Sequence, residues 1–163
     1  MSPRNAALLG LLAAALVALS GCGTTEESGE IGDVLSAEGL RVSIEKVDTR
    51  VPVPAEDITG LSQPSPGYKL VGVLARVCSN HRGAIGAFNF GLESSEGDGR
   101  LKFPQRNYRE DFEVPRADCG GGWIVFEIPS GADPEKVTFG FQDTGSSRDQ
   151  DQNVDAEFAW SVG

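Results

Sequence analysis

The chain has 163 residues, 14 of them basic and 24 acidic, and a formal net charge of −10 at neutral pH. A surface this acidic is a poor partner for nucleic acid or anionic headgroups, whose binding depends on neutralising phosphate.

In chain order, the first 21 residues, MSPRNAALLGLLAAALVALSG, place one charge, Arg4, before an apolar run from Ala6 to Leu19 that closes on small residues. This is the layout of an export signal. A membrane-spanning helix needs roughly 20 apolar residues, and this run is shorter. The junction Leu19-Ser20-Gly21-Cys22 resembles the bacterial lipobox, an aliphatic and two small residues before a cysteine to be acylated. The expectation is cleavage before Cys22 and attachment of acyl chains, palmitate among them, to that cysteine. The alternative is an ordinary cleavable signal. Each buried CH₂ contributes roughly 0.8 kcal/mol, so two or more chains hold a protein stably on a bilayer. The mature chain is then extracytoplasmic, lipid-anchored to the cell membrane through Cys22, and loss of Arg4 takes its charge from −10 to −11.

Assigning Cys22 to lipid leaves Cys78 and Cys119, which are expected to pair as a structural disulfide outside the cytoplasm. A reactive redox pair would more naturally sit close in sequence as CxxC. Residues 23 to 30, GTTEESGE, are small, polar and acidic, so residues 22–30 read as the lipidated cysteine and a flexible tether. Residues 31–163 have the length of one domain, without internal repeat.

Within that domain the apolar residues recur every second position, the period of strands. Val34-Leu35-Ser36 and the turn signal Ala37-Glu38-Gly39 lead into Leu40, Val42 and Ile44, which alternate with Arg41, Ser43 and Glu45. Tyr68 to Cys78 is apolar on both faces except for Lys69 and Arg76, which predicts a central strand. Ile85 to Leu92 alternates through Phe88, Phe90 and Leu92, and Glu96-Gly97-Asp98-Gly99 predicts a turn with a hairpin return along Arg100–Phe103. Trp123 to Ile128 forms an apolar run stopped by Pro129. Val137, Phe139 and Phe141 alternate, as do Val154, Ala156, Phe158, Trp160 and Val162. No stretch of the mature chain shows an amphipathic helix. About seven or more short strands with turns between them predict an all-β protein, an antiparallel β-sandwich.

These residues resemble a family of small exported bacterial proteins and lipoproteins with an uncharacterised immunoglobulin-like domain, similar to a secreted mycobacterial immunogenic antigen. The resemblance covers about residues 31 to 142. It is carried by Ile31-Gly32-Asp33, by Tyr68-Lys69-Leu70-Val71-Gly72-Val73 running to Ser79-Asn80, and by Gly122 to Pro129, which looks like the family's G-x-x-x-F-x-x-P strand. It implies an immunoglobulin-like sandwich, a bridge between Cys78 and Cys119 as in some members, and no catalytic constellation. The chain departs from shorter members by a Pro-rich loop at 52 to 67 and an aspartate-rich loop at 143 to 153.

Chemistry has few carriers. The one histidine, His81, lies in the polar turn Ser79-Asn80-His81-Arg82-Gly83 and reads as a solvated loop residue, not a general base. One histidine and two paired cysteines are too few for a zinc or copper centre. From Asp149 to Asp155 side-chain oxygens alternate as in a calcium loop, but Val154 stands where the turn glycine belongs and Trp160 where the bidentate glutamate belongs. A looser site including Asp143 is the remaining ion reading. The expectation is therefore a protein without enzymatic activity, cofactor or catalytic residues.

Two segments carry candidate partner contacts. Val51 to Gly67 holds four prolines together with Ile58 and Leu61, either for recognition or to stiffen a crossover between two sheets. FPQRNYREDF holds Arg106, Tyr108, Arg109 and Phe112, residue types common at interface hot spots, beside Glu110 and Asp111. The leading reading is a tethered binding module for an envelope protein or wall component, with contacts made by loops at the sandwich ends. The alternative is a small-ligand or calcium-binding receptor of the envelope.

Overall fold

In a computed structural model the structure describes residues 24–51, 63–81, 84–102, 114, 118–144 and 153–163. Ten strands follow one another: β1 Thr25–Glu30, β2 Val34–Ala37, β3 Leu40–Asp48, β4 Tyr68–Ser79, β5 Phe90–Ser94, β6 Gly97–Asp98, β7 Arg100–Leu101, β8 Cys119–Pro129, β9 Pro134–Thr144 and β10 Asn153–Ser161. They form two five-stranded sheets, β1-β10-β9-β5-β6 and β2-β3-β4-β8-β7. All pairs are antiparallel except β1 with β10. The protein is an immunoglobulin-like β-sandwich.

Alternation along the strands builds the core. From the second sheet, Leu40, Val42, Ile44, Val71, Val73, Ala75, Val77, Ile124, Phe126 and Ile128 point inward. Phe90, Leu92, Val137, Phe139, Phe141, Ala156, Phe158 and Trp160 meet them from the first. Phe139 lies at the centre of an aromatic row, 4.9 Å from Phe90 edge-on and 6.0 Å from Phe158, whose far side meets Trp160 at 6.1 Å. The Trp160 indole N–H, buried with its ring, donates to the Asp33 carbonyl at 3.1 Å, so its one polar atom is satisfied. A bulge at Glu45, where the register passes from Ile44↔Ala75 to Lys46↔Leu74, resets the alternation so that Val47 also packs on the core.

The central strand is β4, as its two-faced apolarity predicts, paired with β3 on one side and for eleven residues with β8 on the other. Gly72 matters here for a close approach. A Cβ at that position would lie 2.9 Å from the Trp123 ring, which crosses β4 on the outer face of the sheet. The β2–β3 hairpin turns on Glu38-Gly39, and Gly39 takes φ +82°, the left-handed region a glycine enters without strain.

Three expectations are corrected. Residues 25–30 are not a flexible tether but strand β1, paired residue for residue with β10 from Thr25↔Ala156 to Glu30↔Ser161. The segment gains order from backbone pairing and not from apolar burial, which is why its polar composition misleads. Arg100 and Leu101 do not return along β5. Ser95-Glu96 makes the turn, β6 pairs with β5, and the chain then crosses to the other sheet, where Arg100 faces Glu127 and Leu101 faces Phe126. Finally, Ala87–Asn89 form a 3₁₀ turn before β5, which leaves Phe88 outside the strand alternation and 68% exposed.

Candidate functional site

The first sheet's outer surface carries small and charged side chains, whereas part of the second sheet's outer surface is covered. Leu70 on β4 and Val125 on β8 point away from the core and are buried, with Val51 packed on both. Next to them on β8 stands Glu127, directed outward between Phe126 and Ile128, yet only 7% exposed. Burial of a carboxylate is costly unless it is paired and hydrogen-bonded, and here it is both. The Lys102 ammonium lies 2.7 Å from Oε1. The Ser65 backbone N–H donates to Oε1 at 2.7 Å, and the Ser65 hydroxyl lies 3.1 Å from each carboxylate oxygen. Burial acts to raise the Glu127 pKa, but the Lys102 and Ser65 hydrogen bonds together outweigh it and hold the carboxyl below its ordinary value. Lys102 is further fixed by its backbone N–H, which donates to the Val125 carbonyl at 2.8 Å.

This arrangement brings together the described residues that border the two segments expected to carry partner contacts. Val51 and Ser65 flank the Pro-rich residues 52–62, and Lys102 immediately precedes the basic and aromatic segment. All three are seated on the outer face of the same sheet, Ser65 and Lys102 on one carboxylate. Near them the Arg100 guanidinium lies 4.8 Å over the Tyr68 ring. The Pro-rich segment is therefore not a crossover between sheets. It joins β3 to β4, which are hydrogen-bonded neighbours. Nothing in the pattern of the sequence singles out Glu127 or Ser65, because a glutamate alternating with apolar residues reads as the solvated position of a strand.

Ile58, Leu61, Arg106, Tyr108, Arg109 and Phe112 lie outside the described residues, as does Cys22. Cys78 and Cys119 are directly opposed on β4 and β8, their Cα atoms 3.9 Å apart, and form a disulfide. His81 is corrected: it is 5% exposed and not a solvated loop residue. Its Nε2 lies 2.6 Å from the Glu38 carbonyl and its ring packs 5.9 Å from that of Phe141. With the Asn80 N–H donating to the Gly39 carbonyl at 3.1 Å, it ties the β2–β3 turn to the end of β4. Of the aspartate-rich string only Asn153, Val154 and Asp155 are described, and Asp155 Oδ2 accepts the Thr24 hydroxyl at 3.1 Å. Among the described residues no three His, Cys, Asp or Glu side chains gather as a metal site requires.

The fold defines a class, the two-sheet immunoglobulin-like sandwich, and solved structures share it. No family model matches the chain, and no curated protein matches it in sequence. It is similar to ycdA of Bacillus subtilis, a protein classed as a lipoprotein, at 13% identity and a TM-score of 0.54 over 82% of this chain and 38% of that one. The chain thus spans well under half of ycdA. It is also similar to MPT63, a secreted protein of Mycobacterium tuberculosis, at 12% identity and a TM-score of 0.54 over 86% of this chain and 100% of that one. Both are likenesses of fold.

Proposed function

We propose that the protein is an extracytoplasmic lipoprotein, anchored through Cys22, that acts without catalysis as a binding module for an envelope protein or wall component. Recognition is carried by residues 52–62 and 103–113, whose described neighbours Val51, Ser65 and Lys102 sit on the outer face of the β2-β3-β4-β8-β7 sheet. One observation supports this reading most: Ser65 and Lys102, which adjoin the two segments, share the buried Glu127 carboxylate. A carboxylate buried outside the core holds Ser65 and Lys102 together, and so ties the bases of two segments that are remote in sequence. On this reading recognition lies on a sheet face, where the sequence alone suggested the sandwich ends. The likeness to ycdA and MPT63 supports an exported domain of this shape.

The test is affinity capture on intact cells after crosslinking, comparing the wild type with a variant whose residues 52–62 are replaced by Gly and Ser. A specific partner lost in the variant supports the reading. The same partner retained in full would remove the segment from the contact surface.

A further inference from the structure

The described cations divide by residue type. Each lysine has a carboxylate at ion-pair distance: Lys46 with Asp48, Lys69 with Asp133, Lys102 with Glu127 and Lys136 with Glu93. Among the described residues Arg41, Arg50, Arg76 and Arg100 have none, although the chain carries a net charge of −10 and carboxylates are in excess. Arg41, Arg76 and Arg100 also share a surface. Val42 and Ile44 point into the core from β3, Val73, Ala75 and Val77 from β4, and Ile124 and Phe126 from β8. The residues between them face outward. Register sets these in rows: Arg41 beside Cys78 and Cys119, Ser43 beside Arg76 and Gly121, Lys46 beside Leu74 and Trp123. Arg100, opposite Glu127, lies further along the same face. The outer face of the first sheet is the reverse: Glu26 pairs in register with Glu157, and Glu30 and Glu93 stand in the row of Lys136.

Between the arginines and Trp123 the second sheet's outer face is hollow. Gly121 leaves it bare, since a Cβ there would press on the Ala75 carbonyl at 2.3 Å. The hollow holds about 370 Å³ and is lined by Glu45, Leu74, Arg76 and Gly121, a volume within the range of small-ligand sites. Trp123 adjoins Leu74, half-buried, with its ring over Gly72. The Trp160 indole N–H bonds the Asp33 carbonyl, whereas that of Trp123 has no hydrogen-bond partner among the described residues. These groups suit a sugar. A hydroxyl donates and accepts at once, so its site needs both kinds of group. Arg76 and the Trp123 indole supply donors, Glu45 supplies acceptors, and Trp123 with Leu74 offers an apolar wall to the C–H groups of a ring. The arginines add a requirement for negative charge, because a guanidinium grips carboxylate or phosphate through two parallel N–H bonds. A protein partner fits less well, since beyond Trp123 and Leu74 the hollow has little of the apolar area on which interface hot spots are built.

We propose that this part of the face binds an anionic glycan, a chain whose sugars carry carboxylate or phosphate, with one ring in the hollow beside Trp123 and acidic groups on Arg41 and Arg76. Leu70, in the row of Arg100, is six residues along β4 from Arg76, about 20 Å, so a chain that follows β4 reaches Arg100 as well. The inference rests on the binding reading given above and narrows its partner to a wall polymer.

The full-length protein is tested on an array of uronate-bearing, phosphate-bearing and neutral glycans, with poly-L-glutamate as an acidic polypeptide. The variants are Arg41→Gln combined with Arg76→Gln, Trp123→Leu, and Lys136→Gln on the opposite face. Urea unfolding checks each one, and the arginine pair is expected to keep the wild-type midpoint because it breaks no described ion pair. The expected result is binding of acidic glycans alone, weakened roughly tenfold or more by the arginine pair and by Trp123→Leu and unaffected by Lys136→Gln. No glycan binding, equal binding of neutral glycans, or acidic-glycan binding that survives the arginine replacements would overturn the proposal. Poly-L-glutamate bound as tightly as any acidic glycan would overturn sugar recognition in favour of an acidic protein. Capture on intact cells separates this inference from the reading beneath it. A specific protein partner with no glycan bound would overturn the glycan site and leave the binding module standing, whereas neither partner nor glycan would overturn both.

Discussion

The ammonium of Lys102 and the backbone N–H of Ser65, 37 residues apart in sequence, each approach Glu127 Oε1 to 2.7 Å. Because β8 already buries Ile124, Phe126 and Ile128 on its inner side, the stabilisation from this carboxylate falls on Ser65 and Lys102 over the outer face and not on the core.

Glu127→Gln is expected to destabilise the protein by about 2–3 kcal/mol, since it removes the charge that the Lys102 ammonium and the Ser65 N–H each approach at 2.7 Å. Urea unfolding measures this. Replacing both partners, Glu127→Leu with Lys102→Met, is expected to cost less than the single change, because the two charges of the 2.7 Å pair are removed together. A double variant less stable than the single one would show that the pair does more than neutralise itself.

The same pair sets a pH dependence. The folded-state pKa of Glu127 lies below its unfolded value of about 4.3. The carboxylate therefore contributes fully above about pH 4.3 and loses its contribution as pH falls through the depressed folded value. Unfolding at a series of pH values is expected to show the gap between wild type and Glu127→Gln constant near neutrality and narrowing only below pH 4.3 or so. A gap that closes between pH 5 and 7 would assign the dependence to another group.

Gly39→Ala is expected to cost about 1–2 kcal/mol, read from thermal or urea unfolding. Its φ of +82° is unfavourable for any side chain, and the new Cβ would sit 2.2 Å from Asn80 Oδ1, displacing the residue that joins the turn to β4. An unchanged midpoint would mean that the hairpin shifts freely and that Asn80 and His81 do not fix it.

Replacing Cys78 and Cys119 together by Ser is expected to remove about 3–4 kcal/mol, the loop-closure contribution of a bridge spanning 41 residues. The core lies beside the bridge and not on it, so the variant is expected to keep native near-ultraviolet dichroism at 25 °C while unfolding at lower urea. Loss of that signal in buffer would make the bridge a condition of folding.

Alternation made much of the sheets legible: the inward residues Leu40, Val42 and Ile44 of β3 and those of β9 and β10 are the ones the period of two selects, while β4 and β8 were legible as unbroken apolar runs. What escaped was order that comes from backbone pairing alone, as in the exposed and acidic β1, and switches between sheets, as at Gly99, where a short polar turn looks the same whether the chain returns or crosses over. His81 escaped for a related reason. Its burial depends on Phe141 and on the Glu38 carbonyl, both remote in sequence. The candidate site was legible only through its segments, because Glu127 is recognisable as an anchor only when the covering of the outer face is known.

The most direct measurement is the affinity of the captured partner for four proteins: wild type, the 52–62 replacement, a 104–112 replacement, and Glu127→Gln with both segments intact. If Glu127 organises one surface, each change weakens binding of the same partner, and Glu127→Gln does so although it alters no contact residue. Wild-type affinity in Glu127→Gln, together with loss in only one of the two replacements, would contradict a shared surface and leave a single segment acting alone.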